Sequence, residues 1–262
     1  MSFTLATWNI NSVRLREEIV LRLMREEAPD VLCLQECKSP VDKIPMEGFQ
    51  ALGYTHMVAR GQKGYNGVAI FSKIPMEETA AYDYADLGHA RHIAGKLANG
   101  VTIHNFYVPA GGDKPDQEIN EKFGQKLDYL RDMQAGFEVD KPVRAILVGD
   151  LNIAPLENDV WDHKKLLKVV SHTPVEVAAL AAVQAAGDWV DVTRADVPEG
   201  KLYSWWSYRS PDWETADKGR RLDHVWATPD IAGSASGSRV VRDVRGWEKP
   251  SDHAPVFATF DV

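Results

Sequence analysis

The sequence predicts an α/β protein in which two packed β-sheets are flanked by helices. Three observations carry that reading. Short runs rich in β-branched and aromatic residues recur from one end of the chain to the other. Few segments carry apolar residues at helical spacing. Strands in such excess suit two sheets packed face to face better than one doubly wound sheet. No internal repeat, linker rich in glycine or serine, or long charge block divides the chain, so residues 1–262 are read as one domain.

In chain order, strands are expected at residues 3–8, 31–35, 67–72, 92–97, 101–107, 143–148, 190–193, 203–208, 222–227, 239–244 and 256–261. A first helix over 13–27 aligns Leu15, Ile19, Leu23 and Met24 and stops at Ala28-Pro29-Asp30. A second lies within 118–136, where Phe123, Leu127, Leu130 and Gln134 recur at the same spacing. Pro174, whose fixed φ suits a first helical turn, opens a third that runs through Ala186.

Hydrophobic residues make up 44% of the chain, with nineteen glycines and fourteen prolines, an average share that excludes collagen-like and low-complexity chains. No apolar run approaches the roughly 18 residues that cross a bilayer. The best, 175–187, is mostly alanine and is broken by Glu176 and Gln184. Residues 1–9 have neither a basic start nor an apolar block, so no secretory leader is expected there. Cys33 and Cys37 are too few for a disulfide framework and, on a strand, too far apart to bond. A reduced, cytoplasmic protein without a membrane partner is expected. The net charge of −8 argues against a wholly basic nucleic-acid coat. It still allows a local basic face or a bound divalent cation.

Polar residues interrupt the strands in a pattern. The first run gives way to Asn9-Ile10-Asn11, the second reaches Glu36, the run at 101–106 reaches Tyr107, and 145–149 reaches Asp150-Leu151-Asn152. Two later runs instead begin with such groups: Asp223 starts one, and Asp252-His253 precedes the other. If those two run antiparallel to the first four, all six segments meet on one sheet edge. Oxygen ligands, no thiolate and one histidine suit a hard cation, Mg²⁺ or Mn²⁺, rather than zinc. Phosphodiester hydrolysis needs an aligned water, neutralised phosphoryl charge and help for the leaving alkoxide. This set holds a candidate for each. Singly, every member has an ordinary alternative: a tight turn for Asp150 and Asn152, helix caps for Asn9 and Asn11, a half-buried ring for Tyr107, a solvated strand end for Glu36. Their joint occurrence is the argument.

These segments resemble the exonuclease III family of abasic-site endonucleases, within the wider endonuclease/exonuclease/phosphatase superfamily. The resemblance runs from Thr7-Trp8-Asn9-Ile10-Asn11-Ser12-Val13-Arg14 to Ser251-Asp252-His253-Ala254-Pro255-Val256. Between them lie Leu34-Gln35-Glu36-Cys37-Lys38, Tyr107-Val108-Pro109, Gly149-Asp150-Leu151-Asn152, Tyr203-Ser204-Trp205-Trp206-Ser207-Tyr208 and Arg221-Leu222-Asp223. The resemblance implies a four-layer, deoxyribonuclease-like sandwich and a Mg²⁺-dependent DNA repair nuclease, with Mn²⁺ as the alternative ion. It implies cleavage on the 5′ side of abasic sites in double-stranded DNA, removal of nucleotides or blocking groups from 3′ ends, and a monomer.

Carried over residue by residue, Glu36 is the principal metal carboxylate, with Asn9, Asp252, Asp150 and Asn152 around the ion. Asn11 lies beside the ion or its waters and counts toward substrate binding. Asp150 activates the attacking water and Asn152 holds it or the phosphate. His253 binds the scissile phosphate with its tautomer set by Asp223, and Tyr107 assists charge development. Asp150 rather than His253 is taken as the proton acceptor, a choice the sequence does not decide. Trp205 and Leu222 wall a pocket for the base-less sugar.

Two departures from the family pattern stand out: Ala110-Gly111-Gly112-Asp113 where a polar contact to phosphate is usual, and Arg220 where relatives carry an apolar pocket residue. Arg91 and Arg220 are counted with the substrate. Arg60, Lys63, Lys114, His163-Lys164-Lys165, Lys168, Arg209 and Arg221, interleaved with Tyr65, Trp161, Tyr208 and Trp213, fit phosphate tracking and stacking. Two other readings compete: a phosphoesterase of the same superfamily acting on RNA, inositol phosphates or sphingomyelin, and a metal- or DNA-binding module without turnover.

Overall fold

A computed structural model describes residues 2–262, and Met1 lies outside the described residues. Its strands are β1 (Ser2–Asn9), β2 (Val31–Gln35), β3 (His56–Arg60), β4 (Val68–Ser72), β5 (Met76–Ala80), β6 (His92–Leu97), β7 (Thr102–Tyr107), β8 (Ala145–Asp150), β9 (Val190–Asp191), β10 (Asp223–Ala227), β11 (Ala235–Val240) and β12 (Val256–Asp261). They form two six-stranded sheets, ordered β11-β12-β1-β2-β4-β3 and β5-β6-β7-β8-β10-β9. A parallel pair sits at the centre of each, β1 with β2 and β7 with β8, and the neighbours of these pairs run antiparallel. Parallel partners need a crossover, and the helices Glu17–Glu26 and Glu121–Val139 supply the two.

Three apolar layers hold the sandwich together. Between the sheets lie Leu5, Val31, Ile70, Ile103, Val148 and Phe260. The first sheet buries Trp8, Leu34 and Phe71 against Val20, Leu23 and Met24. The second buries Phe106, Leu147 and Trp226 against Tyr129, Leu130, Met133 and the helix Pro174–Ala186. This gives helix, sheet, sheet and helix, the four layers expected. Fully burying one such side chain stabilises by roughly 1.5–3 kcal/mol. A polar band crosses the inter-sheet core: Gln35 Nε2 donates to Thr7 Oγ1 (2.9 Å) and Asn105 Oδ1 (2.7 Å), and Asn105 Nδ2 donates to the carbonyls of Leu34 and Ala69.

Several elements differ from the sequence reading. The strands β3 and β5 carry no strong apolar run because both lie at a sheet edge, where one side stays wet. Residues 203–208 form no strand: Trp205 makes only isolated bridges to Arg220 and His253. At 190–193 the strand lasts two residues, after which Asp191 accepts the Arg194 N–H and caps a short helix, Val192–Asp196. The strand expected at 239–244 is shifted to β11, and a 3₁₀ turn follows over Arg242–Gly246. The first helix begins at Glu17, which leaves Leu15 exposed and Asn9 and Asn11 too far upstream to cap it. In the helix Glu121–Val139 the buried stripe runs through Phe123, Lys126, Tyr129, Leu130, Met133 and Phe137, not Leu127 and Gln134. Cys33 and Cys37 are free, buried thiols. No helix among the described residues is long and apolar enough to cross a membrane.

Two interior imidazoles tie stability to pH. Burial lowers His224 to about 4, with the Arg221 charge acting in the same direction, and burial lowers His104 to about 4 against the opposing Asp140 charge. Folded values below the ordinary 6.5 mean that stability is full above that pH and is lost as pH falls toward 4. The urea midpoint should therefore drop across that window, and His224→Gln should drop less steeply. Parallel slopes would show that these imidazoles are not the cause.

Candidate active site

The parallel centres of both sheets end on the same side of the molecule. Asn9 closes β1, Glu36 follows β2, Tyr107 closes β7 and Asp150 closes β8. Asp150 pairs in register with Tyr107 on one side and with Asp223, the first residue of β10, on the other. The strand β10 runs antiparallel to β8, and β12 antiparallel to β1, which brings His253 ahead of β12 to the same edge. Several residues at this edge have left-handed backbone: Asn11 (φ 50), Glu36 (φ 51), Lys38 (φ 52) and Asn152 (φ 54). Gly149 has φ 135, and a Cβ there would lie 1.9 Å from the Phe106 carbonyl oxygen. Only glycine lets β8 approach β7 closely enough to set Asp150 beside Tyr107.

The side chains form one network. Asn9 Nδ2 donates to Glu36 Oε1 (3.0 Å) and to Asp150 Oδ2 (2.8 Å), joining acids from opposite sheets. The Tyr107 hydroxyl donates to Glu36 Oε1 (2.7 Å), and Lys38 Nζ lies 2.8 Å from Glu36 Oε2 while donating to Asn11 Oδ1 (2.6 Å). Asn152 donates through its backbone to Asp150 Oδ1 (3.0 Å) and through Nδ2 to Asp150 Oδ2 (3.1 Å) and the Val108 carbonyl (2.9 Å). His253 Nδ1 is 2.8 Å from Asp223 Oδ2, and its Nε2 is 3.7 Å from Asp150 Oδ2. The Ser204 hydroxyl donates to Asp223 Oδ2 (2.6 Å).

Burial and charge set the protonation states. Burial pushes Asp150 up to about 7, with Asp223 and Glu36 adding to it and His253 and Asn9 opposing. Burial alone would lower His253, but the Asp223 and Asp150 charges overcome it and push the imidazole up to about 10. Glu36 is raised by burial, yet hydrogen bonds from Asn9, Lys38 and Tyr107 together with the Lys38 charge hold it below the ordinary range. The cluster thus pairs a cationic imidazole with an acid poised near neutrality.

These groups open on a cavity of about 820 Å³. Glu36, Tyr107, Asp150, Asn152, Asp252 and His253 line one part, and Trp205, Arg220 and Leu222 line another. Asp252 accepts from Trp205 Nε1 (2.9 Å) and Asn11 Nδ2 (3.4 Å), so it borders the network rather than joining its centre. Arg91 is not on the cavity wall: its guanidinium stacks 4.6 Å from the Tyr107 ring and donates to the Tyr107 carbonyl. Arg221 does not face a phosphate path as the sequence suggested. It is 1% exposed and paired with Asp159 and Asp191, because the charges around it are satisfied inside the fold. A second cavity, about 840 Å³ and lined by Tyr82, His104 and Phe137, sits at the opposite strand ends, away from the carboxylates.

Sequence reasoning assigned no role to Lys38, Lys126 or Glu176. Lys126 Nζ is fully buried, pairs with Glu176 and donates to the carbonyls of Asn152 (2.9 Å) and Ala110 (3.4 Å). It pins the loops that follow β7 and β8. A lysine on the apolar stripe of its helix was the available signal. For Glu176 the signal was Thr173-Pro174-Val175-Glu176, a capping box in which Glu176 Oε2 accepts the Thr173 N–H (3.2 Å).

The donor set fits a hard divalent cation. The Glu36 and Asp150 carboxylates meet across Asn9 at the cavity, with Asn152 and Asp252 on the same lining. Beside them Asp150, Asp223 and His253 each offer a ligand atom within 4.8 Å of the others, Asp223 Oδ1 being buried without a hydrogen-bond partner. Replacing Asp223 with asparagine removes the largest of the three carboxylate charges, with Asp150 and Asp252, that hold the His253 proton. In Asp223→Asn, a ¹⁵N NMR titration of metal-free protein should show His253 losing its proton at lower pH than in the wild type. An unchanged titration would show that Asp150 and Asp252 retain it without Asp223.

The comparisons agree with this geometry. Residues 6–253 match the Endonuclease/Exonuclease/phosphatase family. The chain is 29% identical to exodeoxyribonuclease III of Haemophilus influenzae over 271 aligned residues, covering 97% of this chain and 98% of that protein. An AP endonuclease from Archaeoglobus fulgidus superposes with a TM-score of 0.92 at 35% identity, over 99% of this chain and all of that one. A 3′ phosphatase, NExo, from Neisseria, solved bound to a product DNA hairpin, superposes at 0.90 with 32% identity, over 99% and 100% of the two chains. With a match over nearly its whole length and the motif residues gathered on one sheet edge, the chain belongs to the endonuclease/exonuclease/phosphatase family.

Proposed function

We propose that the protein is a Mg²⁺-dependent DNA repair hydrolase, a cytoplasmic monomer whose 262 residues act as one catalytic unit. It cleaves the phosphodiester on the 5′ side of abasic sites in duplex DNA, leaving a 3′-hydroxyl, and removes nucleotides or blocking groups from 3′ ends. One observation carries the reading: Asp150, Asp223 and His253 face Glu36 and Tyr107 across the Asn9 carboxamide at a cavity of about 820 Å³. The activities named for its relatives support it.

Glu36, with Asn9, Asp150, Asn152 and Asp252, would hold the divalent ion, Mg²⁺ or Mn²⁺, which when bound supplies Lewis acidity and neutralises phosphoryl charge. The remaining work belongs to the chain. Asp150, on the cavity lining and 3.7 Å from His253 Nε2, accepts the proton of the attacking water. Asn152 and Asn9 donate to its carboxylate and fix its direction. His253, kept cationic by Asp223, binds the scissile phosphate through Nε2. The Tyr107 hydroxyl, 2.7 Å from Glu36 in the resting site, donates to the phosphate as charge develops. Arg91 reaches substrate only through the ring it stacks on. Trp205, Arg220 and Leu222 contact the nucleotide beyond the scissile bond, where a base-less sugar fits a compact wall. Asn11, bonded to Asp252 and Lys38 and off that lining, acts on substrate through them.

A duplex carrying an abasic analogue should be nicked in millimolar Mg²⁺ and spared in EDTA. An intact strand after stoichiometric enzyme would refute the reading. Asp150→Asn should lower kcat by roughly 10²–10⁴-fold, the range for loss of a general base. Glu36→Gln should raise the metal concentration needed for half-maximal rate, because a neutral amide replaces an anionic ligand. Cleavage should fall steeply between 50 and 200 mM salt as phosphate contacts release counterions, and a flat profile would point to a small uncharged substrate.

A further inference from the structure

Arg220 and Arg221 are adjacent arginines with opposite surroundings. Arg221 is enclosed by the carboxylates of Asp159 and Asp191. Arg220 is partly buried, and among the described residues no carboxylate lies within ion-pair distance of it. Its Nη1 donates to neutral acceptors, the Val170 carbonyl (3.0 Å) and Ser171 Oγ (2.8 Å). Its Nε is fully buried and has no hydrogen-bond partner. Its guanidinium carbon lies 5.2 Å from the Trp205 ring centre, and the residue lines the cavity. The nearby acid, Glu176, is committed to Lys126 and to the N–H groups of Ser171 and Thr173. Lys218, Arg209 and the carboxylate of Asp113, all exposed, line the same cavity.

A guanidinium withdrawn from water without an anion is costly, and the wall that carries it suits a ligand that supplies the missing charge. The backbone locates that wall. Trp205 is bridged to Arg220 on one side and to His253 on the other, which sets the Arg220 backbone two strand spacings, roughly 10 Å, from that of His253. On the proposed reading, with the scissile phosphate on His253, an anion at Arg220 belongs to the next group along the substrate.

We propose that Arg220 makes this part of the cavity an anion subsite and determines specificity for 3′ ends whose departing fragment carries a carboxylate beyond the scissile phosphate. The proposal rests on the reading of the cavity as a phosphodiesterase site. With a 3′-phosphoglycolate end, the water oxygen bonds to phosphorus and the P–O3′ bond breaks. O3′ takes up a proton, and phosphoglycolate departs with its carboxylate on Arg220. A planar guanidinium suits such a carboxylate better than an ammonium does.

The test compares duplexes ending in 3′-phosphoglycolate with duplexes ending in the uncharged 3′-phosphoryl-2-hydroxyethyl group. The ratio of kcat/KM for the two ends should be at least about tenfold in favour of phosphoglycolate, the worth of one hydrogen bond to a charged group. Arg220→Met should reduce it to near one, and Arg220→Lys should restore part of it. Equal ratios in wild type and Arg220→Met would overturn the proposal. A second readout needs no turnover: binding of free 2-phosphoglycolate, measured by calorimetry, should weaken at least about tenfold in Arg220→Met, and binding of 2-hydroxyethyl phosphate should weaken less. Equal weakening of both ligands overturns the subsite. A protein that cleaves neither duplex yet binds 2-phosphoglycolate through Arg220 would overturn the nuclease reading and sustain the subsite.

Discussion

The active edge depends on a single carboxamide. Asn9 uses every polar atom of its side chain: Nδ2 serves Glu36 from its own sheet and Asp150 from the facing one, and Oδ1 accepts the Asn11 N–H (3.1 Å). A half-buried and a buried carboxylate this close repel where water is scarce. A neutral group that donates to both at once keeps them together without adding charge. An aspartate there would add a third anion and remove both donors. The Ser251 hydroxyl donates to the Asn9 carbonyl (2.6 Å), so the segment that carries Asp252 and His253 is fastened to the same residue. The spacing of the two sheets, the facing of their acids and the position of the imidazole are thus fixed at one point.

Beneath the network the fold is similarly over-determined. The Lys126–Glu176 pair is buried and satisfied by backbone groups from the two loops it supports, the condition under which an interior ion pair is tolerable. Thr7, Gln35 and Asn105 form the polar band just below the edge. Groups so firmly held need little reorientation when charge develops on a phosphate, and in that sense the protein does much of its electrostatic work while folding.

What the sequence revealed follows from what strands require. Apolar runs that stop at Asn9, Glu36, Tyr107 and Asp150 mark the ends of central strands, and one antiparallel assumption, borne out by β10 and β12, gathered the remaining members. Edge strands such as β5, with its exposed glutamates, have no such signature because a wet edge tolerates polar residues. The aromatic stretch 203–208 imitates a strand by composition, but Trp205 and Trp206 are spent on a cavity wall and a satellite core. Nor could the sequence separate Arg220 from Arg221. Neighbours in extended chain point to opposite sides, and which side holds the carboxylates of Asp159 and Asp191 is a matter of tertiary structure. Lys126 shows the same limit, since its partner lies fifty positions away.

The left-handed backbone at Glu36 and Lys38 has an evolutionary consequence. Neither residue adopts that conformation readily, and such a residue costs of order 1–3 kcal/mol, a large share of the net stability of an ordinary domain. Glycine would relieve the strain at either position and remove a group on which the network depends. Selection for heat resistance alone would therefore push this rim toward glycine and away from activity. A lineage that keeps glutamate and lysine there records continuous selection for turnover.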